Sequence, residues 1–84
     1  MKLSVIILNW NGKNLLKRFL PSVVKFTNNF DIYLVDNNSE DNSIEFTENN
    51  FPNINIIKLL KNYGYAEGYN IATKQIESDI YCFL

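Results

Sequence analysis

Three short polar clusters are the places where this chain could do chemistry: Asn9-Trp10-Asn11-Gly12, Asp36-Asn37-Asn38 and Asn62-Tyr63-Gly64. Each follows an apolar run. An asparagine amide both donates and accepts, and a carboxylate such as Asp36 accepts from a ribose hydroxyl or a uracil N3–H. That mixture suits a nucleoside. None of the three clusters carries a set of lysines for a phosphate, and neither G-x-G-x-x-G nor the G-x-x-x-x-G-K-[ST] phosphate loop occurs. The chain has no histidine and one cysteine, Cys82. Histidine acid–base catalysis, Ser-His-Asp triads, the common zinc sites and an internal disulfide are therefore excluded within it.

The elements that must position these clusters read from the pattern. Leu3 to Leu8 is a continuous, β-branched run, the mark of a strand covered on both faces. Leu15, Leu16, Phe19, Leu20, Val23 and Val24 lie on one helical face, and Pro21 predicts a kink or a break there. Ile32 to Val35 is a second buried strand. Ser39 is placed to cap a helix starting near Glu40 and ending before Phe51-Pro52. Ile54 to Leu59 forms a third strand, Ala66 to Ile76 a helix weakened by Gly68, and Ile80 to Leu84 a fourth buried strand. Strand–helix repetition of this kind predicts an α/β class: a Rossmann-like, three-layer α/β/α architecture with a mostly parallel sheet. Ligands in such sheets bind outside the carboxyl ends of the strands, where all three clusters fall.

The 84 residues make one domain or part of one. Their 46% hydrophobic share fits a packed chain, and a net charge of −1 without basic runs gives no nucleic-acid footprint. The apolar segment after Met1 and Lys2 is too short for a signal-peptide core or a membrane span, so the expected location is cytoplasmic. Ending inside an apolar strand, the chain is expected to be a truncated piece, residues 1–84 of a longer domain.

Ser4-Val5-Ile6-Ile7-Leu8-Asn9-Trp10-Asn11-Gly12, with Leu15-Leu16 and Leu20-Pro21-Ser22-Val23 behind it, resembles the opening of family 2 glycosyltransferases. Ile32-Tyr33-Leu34-Val35-Asp36-Asn37-Asn38-Ser39-Glu40-Asp41-Asn42-Ser43 is similar to that family's V-D-N-x-S-x-D-x-S stretch. Asn62 to Asn70 is similar to its N-x-G-x-x-x-G-x-N stretch, and the asparagine-rich versions lie closest to a bacterial rhamnosyltransferase-like branch. The resemblance implies the N-terminal half of a GT-A fold and a nucleoside-diphosphate sugar donor. It also implies a glycan or lipid-linked acceptor at the inner membrane face, and a divalent metal, Mn²⁺ or Mg²⁺, in the full-length protein. By motif match Asn9, Asn11, Asp36, Asn38, Asn62 and Gly64 are the nucleotide-binding candidates. The family's metal motif follows the fourth strand and its general base lies further on. No catalytic or metal residue is therefore expected within this chain, and transfer by these residues alone is not expected.

Plainer readings stand beside these. Asp36 is a good turn former, Asp41 and Ser43 suit a helix start, and Gly64 and Gly68 suit a positive φ or close packing. Trp10 could stack on a base or pack half-buried beside the first helix. Tyr63, Tyr65 and Tyr69 suit core or lid packing, Cys82 an inert core position. Asp79 precedes the fourth strand and belongs at the sheet's opposite end. A receiver-like module with Asp36 as phosphoacceptor is the alternative function. It lacks the acidic pair after the first strand, where Asn9-Trp10-Asn11 stands. A piece with no ligand is the third possibility, and an exposed sheet edge predicts self-association.

Overall fold

The computed structural model describes residues 2–26 and 30–84; Met1 lies outside them. The elements run β1 (Leu3–Asn9), α1 (Lys13–Phe26), β2 (Asp31–Asp36), α2 (Ser43–Asn50), β3 (Asn55–Lys58), α3 (Gly64–Gln75) and β4 (Ile80–Phe83). Among the described residues they form one four-stranded sheet in the order β3-β2-β1-β4, with every pairing parallel. Strand order reverses at β1: the chain moves outward through β2 and β3, then crosses back to place β4 on the other side. Such a reversal creates a crevice at the carboxyl ends of the strands.

Period-two alternation sends the strand side chains into two cores. Val5, Ile7, Ile32 and Leu34 pack with Leu16 and Leu20 of α1, and Phe46 of α2 closes the same cluster. Ile6 and Val35 pack on the other face with Leu59, Ala72 and Ile76 under α3. These are the three layers that the α/β pattern predicts.

Several local expectations are corrected. α1 runs unbroken through Pro21, because both Pro21 and Lys17, whose carbonyl loses its donor, are exposed to water. Leu15 stands 61% exposed, off the buried stripe that Leu16 and Leu20 occupy. α2 begins at Ser43, not near Glu40, since Asn42 takes a left-handed turn (φ 65°) and Ser39 is engaged elsewhere. β4 is an edge strand, so it is largely exposed where a buried strand was expected, and Cys82 is exposed with it. Asp79 does lie at the amino end of β4, where its carboxylate accepts from the Lys2 backbone N–H at 2.5 Å.

Ser4 has 0% exposure, and among the described residues its Oγ has no hydrogen-bond partner. An orphaned buried hydroxyl destabilises, and deleting it leaves no new orphan behind. Ser4→Ala is expected to raise stability by about 1 kcal/mol, seen as a Tm higher by about 4–8 °C in a thermal melt.

Candidate functional site

Two loops at the carboxyl end of the sheet are riveted together by side chains. Asn9 Nδ2 donates to Asp36 Oδ1 at 2.8 Å and to Ser39 Oγ at 3.1 Å. Asp36 Oδ2 accepts from the Ser39 N–H at 2.8 Å, and Oδ1 accepts from Ser39 Oγ at 2.7 Å. Ser39 Oγ accepts in turn from the Asn11 N–H, and Asn11 Oδ1 accepts from the Glu40 N–H. Asn9 Oδ1 takes the Gly12 N–H at 3.2 Å. A Cβ on Gly12 would lie 2.5 Å from that same oxygen, so the approach requires glycine.

Asp41 bridges to the next helix. Its Oδ2 accepts from the Lys13 N–H at the start of α1, and its Oδ1 accepts from the Ser43 N–H and hydroxyl at the start of α2. Burial would raise the Asp41 carboxyl, but these hydrogen bonds outweigh it and hold it below the ordinary carboxylate value. One side chain thus starts two helices.

The turns themselves use asparagine for its tolerance of left-handed backbone. Asn11 (φ 49°), Asn38 (φ 63°) and Asn42 (φ 65°) are the non-glycine residues of this kind among those described. Gly64 (φ 80°) opens α3 in the same region of backbone space, which confirms the plainer reading of that glycine.

Beside this clasp lies a cleft of about 170 Å³ lined by Leu8, Trp10, Asn37, Asn62, Gly64 and Tyr65. All three post-strand loops contribute to it. Two aromatic rings stand open, Trp10 at 56% and Tyr65 at 77% exposure, and Asn37 and Asn62 line the same cleft. Trp10 is thus more exposed than half-buried packing beside α1 would leave it. Tyr63 and Tyr69 do pack against the α3-side core. Burial raises the Tyr69 phenol above its ordinary value, and its hydroxyl donates to the Leu84 carbonyl at 2.9 Å. The volume is below that of a pocket for a whole drug-sized ligand.

Of the sequence candidates, Asn62 and Gly64 line this cleft. Asn9 and Asp36 are 4% and 1% exposed and point to the other side, into the clasp. Asn11 and Asn38 are exposed turn residues outside the lining. Burial of both Asp36 oxygens in hydrogen bonds is also poor geometry for a phosphoacceptor. Strand parity is the signal that sequence reasoning missed: Leu8, Trp10 and Asn37 share the α3 side with Ile6 and Val35, whereas Asn9 and Asp36 share the α1 side.

A metal would need several convergent ligands. Among the described residues no group of three or more His, Cys, Asp or Glu side chains could hold one, so these residues do not fit a metal centre. No helix among them is long and apolar enough to cross a membrane.

The family model described as "Glycosyl transferase family 2" matches residues 4–84. No curated protein matches the sequence. Among solved structures, the chain is similar to S. aureus TarS 1-349 in complex with UDP, with a TM-score of 0.85 and 28% identity. The match covers 100% of this chain and 27% of that one. TarS 1-349 in complex with UDP-GlcNAc gives a TM-score of 0.83 at 28% identity, covering 100% of this chain and 26% of that one. The mannosyltransferase PcManGT from Pyrobaculum calidifontis, in complex with GDP-Man and Mn²⁺, shares the fold at a TM-score of 0.76 and 16% identity, over 94% of this chain and 26% of that one. The chain thus spans about a quarter of each of these solved chains.

Proposed function

This chain belongs to glycosyl transferase family 2, and from that premise we propose that it forms the donor-nucleotide side of a larger glycosyltransferase. Its parallel sheet and flanking helices match the N-terminal region of the GT-A fold. The observation that carries the reading is the convergence of three post-strand loops on one cleft with two open aromatic rings. A base stacks against Trp10 or Tyr65, and the Asn62 amide meets its polar edge. Asn9, Asp36 and Ser39 set the loop from which Trp10 and Asn11 project. Asn11 and Asn38, at the exposed rim, are assigned the ribose.

The donor is a nucleoside-diphosphate sugar and the acceptor a glycan or lipid-linked hydroxyl, met at the inner face of the membrane. The asparagine-rich motifs support a rhamnosyltransferase-like branch. Departure of a nucleoside diphosphate releases charge that a divalent cation, Mn²⁺ or Mg²⁺, neutralises, and the acceptor hydroxyl needs a carboxylate base within reach. No carboxylate lines the cleft. Both groups are assigned to the part of the full-length protein outside these 84 residues, which alone bind without transferring. The unpaired edge of β4 supports self-association of the isolated chain.

Calorimetric titration of UDP, dTDP and GDP into the full-length protein, with and without Mn²⁺, tests the reading. One nucleotide is expected to bind and to bind more tightly with the metal. Absence of binding by all three would sink the proposal.

A further inference from the structure

We propose that the outer face of α1 is a docking surface for an anionic lipid bilayer, with Lys17, Arg18 and Lys25 meeting the headgroups and Leu15 reaching between them. The proposal rests on the membrane-face part of the reading above and not on the nucleotide cleft. α1 holds four of the chain's eight lysines and arginines (Lys13, Lys17, Arg18 and Lys25) and none of its nine acids. A net charge of −1 therefore hides a segregated one. Lys17, Arg18 and Lys25 are all exposed, and their spacing puts them on the side of the helix away from the buried Leu16 and Leu20.

Helix stability does not account for this arrangement. Cations oppose the dipole at a helix N-terminus, yet Lys13 opens α1 and no acid stands in its first turn. Lys13 and Lys17 are four apart, a spacing at which like charges repel. Packing against α2 offsets this only in part. Glu45 shares a groove with Lys13 and Lys17, and Lys17 Nζ lies over the Phe46 ring, 5.7 Å from its centroid. Among the described residues neither Lys17 nor Arg18 has a carboxylate within ion-pair distance. Their charge stays at the exposed face.

Leu15 selects a bilayer over a soluble polyanion. It is 61% exposed and three residues from Arg18, so the two side chains are neighbours on the helix surface. A soluble anionic polymer gives an apolar side chain nothing to enter, whereas the headgroup layer of a membrane takes both charge and hydrocarbon. The geometry also suits the proposed reaction. α1 packs on the sheet and starts four residues after β1 ends, so Lys13, Lys17 and Arg18 sit at the end where the cleft opens. A bilayer against α1 runs parallel to the sheet. The cleft then opens along the membrane surface, within reach of a lipid-linked hydroxyl.

The test is co-sedimentation of the 84-residue chain with vesicles of phosphatidylglycerol and phosphatidylcholine, beside vesicles of phosphatidylcholine alone. Wild type is expected to bind the first and barely the second. Each cation near an anionic surface contributes about fivefold, so Lys17→Gln/Arg18→Gln is expected to weaken binding about twentyfold. The pair Lys58→Gln/Lys74→Gln removes the same charge from exposed positions on β3 and α3, and is expected to change binding by less than about twofold. Leu15→Gln is expected to weaken it about fivefold. Equal binding to the two kinds of vesicle, binding to neither, or an equal loss in both lysine-containing pairs overturns the docking surface. Wild-type binding by Leu15→Gln also overturns it and assigns the face to a soluble polyanion. If losing the Lys17–Phe46 contact unfolds the first pair, Arg18→Gln alone decides, with about fivefold weaker binding expected and unchanged binding overturning the proposal. UDP calorimetry on the same samples is read separately. Vesicle binding without UDP binding keeps the surface and removes the donor cleft; the reverse removes the surface alone.

Discussion

Asp36→Ala is expected to remove about 3 kcal/mol of stability and to lower Tm by more than about 10 °C. The carboxylate is 1% exposed and accepts three hydrogen bonds, from Asn9 Nδ2, Ser39 N–H and Ser39 Oγ. Truncation strands those donors in a site that water does not reach, and adds a cavity beneath the first two loops. A chain of 84 residues has a total stability on the order of 4–12 kcal/mol, so the loss is a large share of it. Asp36→Asn separates geometry from charge. Its amide oxygen can keep the two bonds at Oδ1, but its NH₂ group confronts the Ser39 N–H, and a smaller cost of about 1 kcal/mol is expected. Thermal melts by circular dichroism decide the matter: a melt for Asp36→Ala within a degree or two of wild type would show that the clasp holds nothing together.

Trp10→Ala is expected to leave the melt almost unchanged and to weaken nucleotide binding by about tenfold or more. The indole is 56% exposed, so its removal takes little area out of the core. Stacking of a base on an aromatic side chain contributes about 1–3 kcal/mol, which spans roughly 5-fold to more than 100-fold in affinity. Trp10→Phe keeps a π-face and is expected to retain most of the binding. Calorimetry with UDP on the two variants reads both outcomes. Wild-type affinity in Trp10→Ala would place the stacking surface on Tyr65 or remove it altogether.

These two residues also show what could be read before the structure. The β1 and β2 runs, the three-layer architecture and the location of chemistry at the strand ends all follow from apolar periodicity, because burial on both faces of a parallel sheet leaves a continuous apolar trace. Trp10 and Asp36 were both visible as post-strand residues, and family motifs pointed to the second as a ligand contact. Their side chains point to opposite faces. That follows from counting along β1 and β2 from Ile6 and Val35, a period-two argument that ends on Asp36 within β2 and extends one residue past β1 to Trp10. What counting could not supply was the partner of each polar group. Ser39 looked like a helix cap because its neighbours Glu40 and Asp41 suit a first turn, yet Asp36 captures its hydroxyl and backbone N–H from three residues away. The helix start then moves on to Asp41 and Ser43. The buried reading of Ile80 to Leu84 failed for a different reason. Apolar composition reports what a strand can be covered by, and β4 pairs on one side only.

The sheet order has a consequence for how the chain reaches its native state. β1 sits inside the sheet and pairs with β2 in the register Asn9↔Asp36 and with β4 in the register Leu3↔Ile80. β1 therefore cannot be enclosed until β4 exists, and the Lys2–Asp79 hydrogen bond links residues 77 positions apart. Non-local parallel pairing of this kind slows folding at a given stability, because loop-closure entropy is lost before the contacts form. On the ribosome β1 and β2 can meet early around α1. Ile6 and Ser4 then wait with one edge open until residues 80–84 emerge, which makes that interval the one in which the chain is most exposed to misassociation.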